Sequence, residues 1–217
     1  MTNNKINRRK FLQIVAGTAG VSALACCGLT ALGARRPQVS MASSSCGDTS
    51  GIGRKVLVTY GSWCGSTGEV AETIGDILCQ AGATVDVLPV EEVADLAMYQ
   101  AAVIGSAVRI GHWKRDAVTF VTENQATLRR MPVAYFTCCT TMREDTEATR
   151  AEVRTFMQPV LDVYEPEQIG MFGGVIDSSR LSFLERTMMN VMGEQDVDTR
   201  DWDAIHAWAD GLASEII

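Results

Sequence analysis

The chain has 217 residues, 47% hydrophobic and 21% charged, which suits one globular domain of ordinary size with some sequence to spare. Six of its nineteen basic side chains (Lys5, Arg8, Arg9, Lys10, Arg35 and Arg36) fall within residues 1–47, where no acidic residue occurs, so residues 48–217 carry thirteen basic against twenty-six acidic groups, a net charge of −13 with histidine neutral. Such a charge argues against a nucleic-acid partner, which requires a basic face.

The basic end is also apolar. "NRRKFLQIVAGTAGVSALACCGLTALGARR" places paired arginines before a Gly/Ala-rich stretch from Phe11 to about Ala34 and closes with two more arginines. It resembles a twin-arginine export signal, with "RRKFL" as the diagnostic part, and is long enough to span a bilayer if retained. Residues 1–36 are therefore read as an export signal or membrane anchor, implying an extracytoplasmic domain. Cleavage after Gly33 or Ala34 and retention both remain open, and "ALAC", ending at Cys26, is a poor lipid-attachment box. Residues 37–53 are Ser/Gly-rich without apolar periodicity and read as a flexible linker to a domain spanning 54–217.

"VLVTYGSWCGSTGEVAETIGDIL" opens the domain. Val56, Leu57, Val58 and Tyr60 form an apolar run expected to be a strand buried on both faces, and Val70, Ile74, Ile77, Leu78 and Ala81 follow at helical spacing before Gly82. Residues 83–90 alternate as a strand, and 101–108 form another buried run. Trp113, Ala117, Phe120 and Val121 share a helical face, with His112 at the helix start. Residues 132–139 make a fourth strand, "EDTEATRAEVRTFMQPVLDVY" a helix disturbed at Pro159, and 168–176 a fifth strand. Trp202, Ile205, Trp208, Ala209, Leu212 and Ile216 mark a terminal helix with Thr199 or Asp201 near its start. Five strands alternating with helices predict an α/β fold, a doubly wound parallel sheet with helices on both faces.

The cysteines stand at 26, 27, 46, 64, 79, 138 and 139. Five remain if the leader is cut after position 33, an odd number without a C-x-x-C pair, so neither a metal (zinc) site nor a disulfide framework is expected and Cys79 reads as a small core residue.

The loop "GSWCGSTG" joins a buried strand to an amphipathic helix, the junction at which open α/β sheets bind ligands. A helix start there offers unpaired N–H groups and partial positive charge to an anion. "YGSWCGSTGEVA" resembles the flavodoxin signature through Tyr60, Ser62, Gly65, Thr67 and Ala71; Thr59 departs from it, since an apolar residue is usual there. The resemblance implies a flavodoxin-like five-stranded sheet and a loop that wraps the phosphate of FMN with hydroxyls and backbone N–H groups, no lysine being needed. Ser62, Ser66 and Thr67 would supply hydroxyls, and Trp63 to Gly68, including Cys64 and Gly65, backbone N–H groups. The chain lacks both Gly-x-Gly-x-x-Gly and Gly-Lys-Ser/Thr phosphate loops.

Further along, "IGSAVRIGHW", the pair Gly173-Gly174, Asp198-Thr199-Arg200 and Asp201-Trp202 are similar to the menaquinone-dependent protoporphyrinogen IX dehydrogenases, a flavodoxin-fold family, over roughly 54–217. That resemblance implies two loops closing on the isoalloxazine ring: Ser106, Ala107, Val108, Arg109, Ile110 and Gly111, then Thr137, Cys138, Cys139 and Thr140. Arg109 and His112 are weak candidates for a catalytic role. Trp63 could stack near the ring, whereas Trp113 fits a core position better. Cys64, Cys138 and Cys139 could converge near the flavin, although small residues admitting close backbone approach are the simpler account. "DSSRLSFLERTMMNVMGEQDVDTR" reads as an insert in which Leu181, Leu184, Met188, Val191 and Met192 could make one apolar face, for a membrane or quinone as readily as for self-packing.

The resemblance thus implies an exported FMN-dependent oxidoreductase that passes electrons to a membrane quinone, with a porphyrinogen as candidate substrate. Outward export sits poorly with a porphyrinogen made on the cytoplasmic side. The alternatives are a tethered electron carrier docking a redox protein and a flavin-free interaction module.

Overall fold

The computed structural model describes residue 37 and residues 39–47, 53–192 and 195–217. Residues 1–36, with the export-signal reading and Cys26 and Cys27, lie outside them. The described residues fall into two compact units, one containing 37, 178–192 and 195, the other 39–47, 53–177 and 196–217.

In the larger unit, β2 (Lys55–Gly61), β3 (Thr84–Pro89), β4 (Ala101–Arg109), β6 (Val133–Cys138) and β7 (Gln168–Phe172) form the parallel core of the sheet. Their spatial order is β3-β2-β4-β6-β7, so the first strand of the parallel set lies inside the second and the chain reverses direction at β2/β4, a doubly wound switch point. Successive side chains of β2 explain the missing alternation. Val56, Val58 and Tyr60 pack beneath Val70, Ile74 and Leu78 of α1 (Ser66–Gln80) and Ile205 and Leu212 of α6 (Trp202–Ile216). Leu57 points the other way, into a second core with Phe120 and Val121 of α2 (Arg115–Glu123) and Met157 and Val160 of α4 (Glu147–Leu161); the short α3 (Gln125–Leu128) lies between those two helices in sequence. Both faces of the strand are thus buried, as its continuous apolar run predicts.

Several boundaries follow familiar chemistry. Gly82, at φ +104°, ends α1, and the Ala83 N–H bonds Leu78 O at 3.1 Å in a Schellman closure. Thr146 and Thr149 form a reciprocal capping box at the start of α4. The helix runs on through Pro159 to Leu161; with the proline so near its end, only one late backbone bond is lost. Asp201, not Thr199, caps α6, accepting the Ala204 N–H at 3.0 Å.

Four expectations require correction. Part of the supposed flexible linker is β1 (Ser44–Cys46), antiparallel to β3 at the sheet edge, with Ser45 Oγ donating to Asp86 Oδ1 at 2.7 Å and Tyr60 OH to Ala42 O at 2.8 Å. Cys46 is disulfide-bonded to Cys79, at a Cα–Cα separation of 6.2 Å, so Cys79 is a cross-link rather than a simple core residue. His112 does not start a helix: with Trp113 it forms β5 (His112–Trp113), a hairpin partner of β4 in the register Val108↔Trp113 and Arg109↔His112. The fifth strand also ends earlier than expected. Gly173-Gly174 break it, and β8 (Val175–Ile176) pairs instead with β9 (Val197–Asp198).

The smaller unit contains α5 (Phe183–Met192), whose entry is fixed by Ser182 and Glu185: the Ser182 N–H donates to Glu185 Oε2 at 3.0 Å, and Ser182 Oγ accepts from the Glu185 N–H at 3.3 Å. This helix exposes Leu184, Met188 and Val191 of the expected apolar face, with Phe183 exposed beside them. Among the described residues no helix is long and apolar enough to cross a membrane.

Candidate functional site

Three strand ends meet at the switch point. Gly61 of β2 is in register with Ser106 of β4, and Ser106 with Thr137 of β6. The three loops picked out by sequence therefore leave the sheet from one row.

The first loop is bent back on itself by its own groups. Ser62, buried, accepts the Gly65 N–H on its hydroxyl at 2.9 Å, and Gly65 takes the left-handed conformation, φ +84°, at the N-cap position of α1. A side chain there would strain the backbone and would stand where the helix start is approached. Gly65 O accepts from Gly68 and Glu69, whereas Ser66 and Thr67, in the first turn, have no intrahelical acceptor for their N–H groups. The Thr67 hydroxyl is buried and makes no hydrogen bond of ordinary geometry, its polar neighbour being the weakly accepting thiol of Cys138.

The second and third loops are held to each other. Ser106 Oγ accepts the Lys114 N–H at 2.9 Å and donates to Ala107 O; Thr137 Oγ1 accepts from Trp113 Nε1 at 3.1 Å and donates to Ser106 O at 3.2 Å. Both hydroxyls are fully buried and engaged within the protein, where they shape the two loops. The strand continues through Ala107 and Val108, both half-buried, into a two-residue turn, Ile110 at φ +51° and Gly111 at φ +71°. Ile110 is 90% exposed at its tip. Arg109 lies with its guanidinium 5.9 Å from the Trp63 ring centroid, bridging this hairpin to the first loop, while His112 is exposed.

Cys138 and Cys139 do not converge. As neighbours in extended backbone they face opposite sides: Cys138 lies in the core beneath α1 and α6, and Cys139 packs with Met142 and Val153. Burial pushes both thiols up, which keeps them protonated; a redox partnership between them has no support in this geometry. Thr140 is half-buried and begins the turn Thr140–Arg143. Cys64 is half-buried.

Sequence reasoning passed over Arg200 as anything more than a motif marker. It follows β9, and its side chain, 9% exposed, reaches the start of α1: Nη1 is 2.6 Å from Glu69 Oε2 and 3.5 Å from Ser66 O, and Nη2 is 2.6 Å from Asp198 Oδ2. The guanidinium also lies 4.6 Å from the Trp202 ring centroid. Burial works against its charge, and Asp198 and Glu69 more than offset that, so it stays protonated. Thr199 links the same arm to Gly174, each residue's backbone N–H bonding the other at 3.0–3.1 Å. A Cβ on Gly173 would stand 1.8 Å from Thr199 O, so a glycine there is what lets the Thr199 arm approach.

A switch-point loop wrapped around a helix start, with a left-handed glycine and no lysine, is an arrangement that can receive an anion on backbone N–H groups and hydroxyls. A Flavodoxin domain family model matches residues 57–203, and the chain belongs to that family. Among curated proteins it is 26% identical over 175 residues, 74% of this chain and 75% of the other, to protoporphyrinogen IX dehydrogenase (quinone) from Leishmania major. Similar solved structures include rubredoxin oxygen:oxidoreductase from Desulfovibrio gigas, with a TM-score of 0.50, 12% identity and coverage of 75% of this chain but only 36% of that one. A Fusobacterium nucleatum flavodoxin bound to flavin mononucleotide gives a TM-score of 0.46 at 10% identity, covering 76% and 99% of the two chains.

FMN, the cofactor of this fold family, fits the residues present. Its phosphate needs several convergent donors, and the first turn of α1 supplies free N–H groups beside an otherwise unsatisfied Thr67 hydroxyl and a glycine without a blocking Cβ.

Proposed function

We propose that the domain binds FMN with its phosphate at Ser62–Thr67 and its ring between the Arg109 hairpin and the Thr137–Thr140 turn, and that it works as an oxidoreductase passing electrons to a membrane quinone. The observation that carries this reading is the loop itself, with left-handed Gly65 and the orphaned Thr67 hydroxyl at a helix start. Bound FMN supplies the redox chemistry. The chain's own part is to hold the phosphate with donors, to position the ring with the hairpin and to limit access to it. The Leishmania relative supports a porphyrinogen as substrate and a quinone as acceptor. Exposed Phe183, Leu184, Met188 and Val191 on α5 suit contact with a lipid-borne acceptor. Export through the twin-arginine-like leader, with the leader serving as signal or membrane anchor, belongs to the same reading, and the Cys46–Cys79 disulfide supports it because such bonds persist in oxidising compartments.

The test is the visible spectrum of the purified protein before and after adding FMN, followed by anaerobic mixing with protoporphyrinogen IX and a menaquinone analogue. A flavin spectrum with porphyrin formation is expected. Flavin bound without turnover, while reduced quinone still forms from another donor, would remove the porphyrinogen and leave the oxidoreductase; no flavin at all would overturn the reading.

One observation favours a second reading, a tethered electron carrier. A cleft of about 300 Å³ is rimmed by Glu91, Asp95, Asp116 and Glu123, with Lys114 paired to two of them, and would suit a basic redox protein. Turnover-free electron exchange with such a partner, lost at high salt, would decide for the carrier.

A further inference from the structure

The phosphate loop contains no lysine, and the first turn of the helix it opens carries an acid, Glu69. An acid near a helix start is favourable for the helix itself, since it faces the positive end of the dipole. For a phosphate dianion approaching the same turn it is a competitor and a repulsive charge. The group that answers it comes from 131 residues away: Arg200, nearly buried, bonds Glu69 through Nη1, touches Ser66 O with the same nitrogen, and is itself oriented by Asp198 and the Trp202 ring. The arm bearing it is tied to Gly174 by the Thr199–Gly174 bonds, which fixes the backbone from which the side chain reaches α1.

We propose that Arg200 is a positioning residue for the FMN phosphate: at the start of α1 it engages the Glu69 carboxylate and offsets its charge, leaving the Ser66 and Thr67 donors free for the dianion. The inference rests on the FMN reading and adds to it a cation outside the loop, acting through Glu69.

The experiment measures dissociation constants for FMN and for riboflavin, which lacks the phosphate, on the full protein. Wild type is expected to prefer FMN strongly. Arg200→Gln is expected to weaken FMN by about tenfold or more while changing riboflavin less than about threefold. Arg200→Lys should recover part of the loss, and Glu69→Gln added to Arg200→Gln should recover most of it. A residue that only fastens the arm would lower the thermal midpoint without altering the FMN-to-riboflavin ratio, and that result would overturn the proposal. If Arg200→Gln does not fold, Glu69→Gln alone decides: removing a carboxylate that Arg200 must hold back should leave FMN binding intact or tighter, and a large loss would refute the argument. Wild type that binds no FMN would sink the cofactor reading itself, a result distinct from either outcome for Arg200.

Discussion

Removing the Cys46–Cys79 link should cost much of the domain's stability, because it closes a loop of 33 residues that holds the edge strand β1 to the far end of α1. For a loop of that size the chain-entropy relation gives about 12.5 cal/mol/K, or about 3.7 kcal/mol at 25 °C, lost by the unfolded chain when it is cross-linked. With a urea slope of about 2 kcal/mol/M, the double variant Cys46→Ser, Cys79→Ser should unfold about 1.8 M earlier than the oxidised protein. Reduction of the wild type should reproduce the shift. Alkylation of the unreduced, denatured protein followed by peptide mapping should label Cys138 and Cys139 and spare 46 and 79. Coincident urea midpoints for oxidised and reduced protein, or alkylated Cys46, would refute the reasoning and with it the support that the disulfide lends to an oxidising compartment.

Three smaller effects should be measurable in the same unfolding assay. Thr59 is fully buried with an unpartnered hydroxyl, so Thr59→Val should raise stability by about 1–2 kcal/mol, and a loss would mean that the hydroxyl is satisfied after all. Ile110 is a β-branched residue at φ +51°; Ile110→Asn should relieve about 1 kcal/mol of backbone strain and raise the urea midpoint, whereas an unchanged or lower midpoint would argue against strain at the turn. Burial opposes the Asp86 charge, but hydrogen bonds from Ser45, Lys55 and Tyr99 outweigh it and hold the carboxyl below its ordinary value. Its contribution is therefore complete above the unfolded pKa of about 3.9 and disappears as pH falls through the lower folded value, so Asp86→Asn should flatten the acid limb of stability against pH below about pH 4.

What the sequence made legible was what local pattern encodes. Buried strands showed as unbroken apolar runs because side chains of both parities are covered, as at Val56 and Leu57, and the loop was recognisable because glycine, hydroxyl and helix start sit together within eight residues. The misses were all non-local. "SSC" at 44–46 has no apolar period; it is a strand only because β3, Asp86 and Cys79 receive it. Cys46 and Cys79 share no spacing motif that would have paired them. The hairpin at His112–Trp113 was hidden because its turn uses Ile110 where Asn or Gly is the usual signal. That Ser106 and Thr137 would fasten the second and third loops to each other was not legible either, since their hydroxyls engage Lys114 N–H, Ala107 O, Trp113 Nε1 and Ser106 O across the fold. Arg200 could be noticed as part of "DTR" but not given a role, since its partner is on the first helix of the domain.

The strongly acidic surface and an anionic cofactor are compatible once distance is considered. A surface carboxylate about 15 Å from a phosphate in water repels it by about 0.3 kcal/mol per unit charge, and with a screening length of about 8 Å at physiological salt most of even that is removed. A charged hydrogen bond within the cradle contributes on the order of 1.5–3 kcal/mol. The dozen or so excess carboxylates spread over the surface would therefore weigh less on an FMN phosphate held as proposed than the few groups at the start of α1, where Glu69 and Arg200 are paired. The acidic surface is left to act where many charges add, in the approach of a partner. The cleft rimmed by Glu91, Asp95, Asp116 and Glu123 lies on the α2 side of the sheet, whereas the phosphate loop opens onto α1, so cofactor retention and partner docking can respond to salt separately.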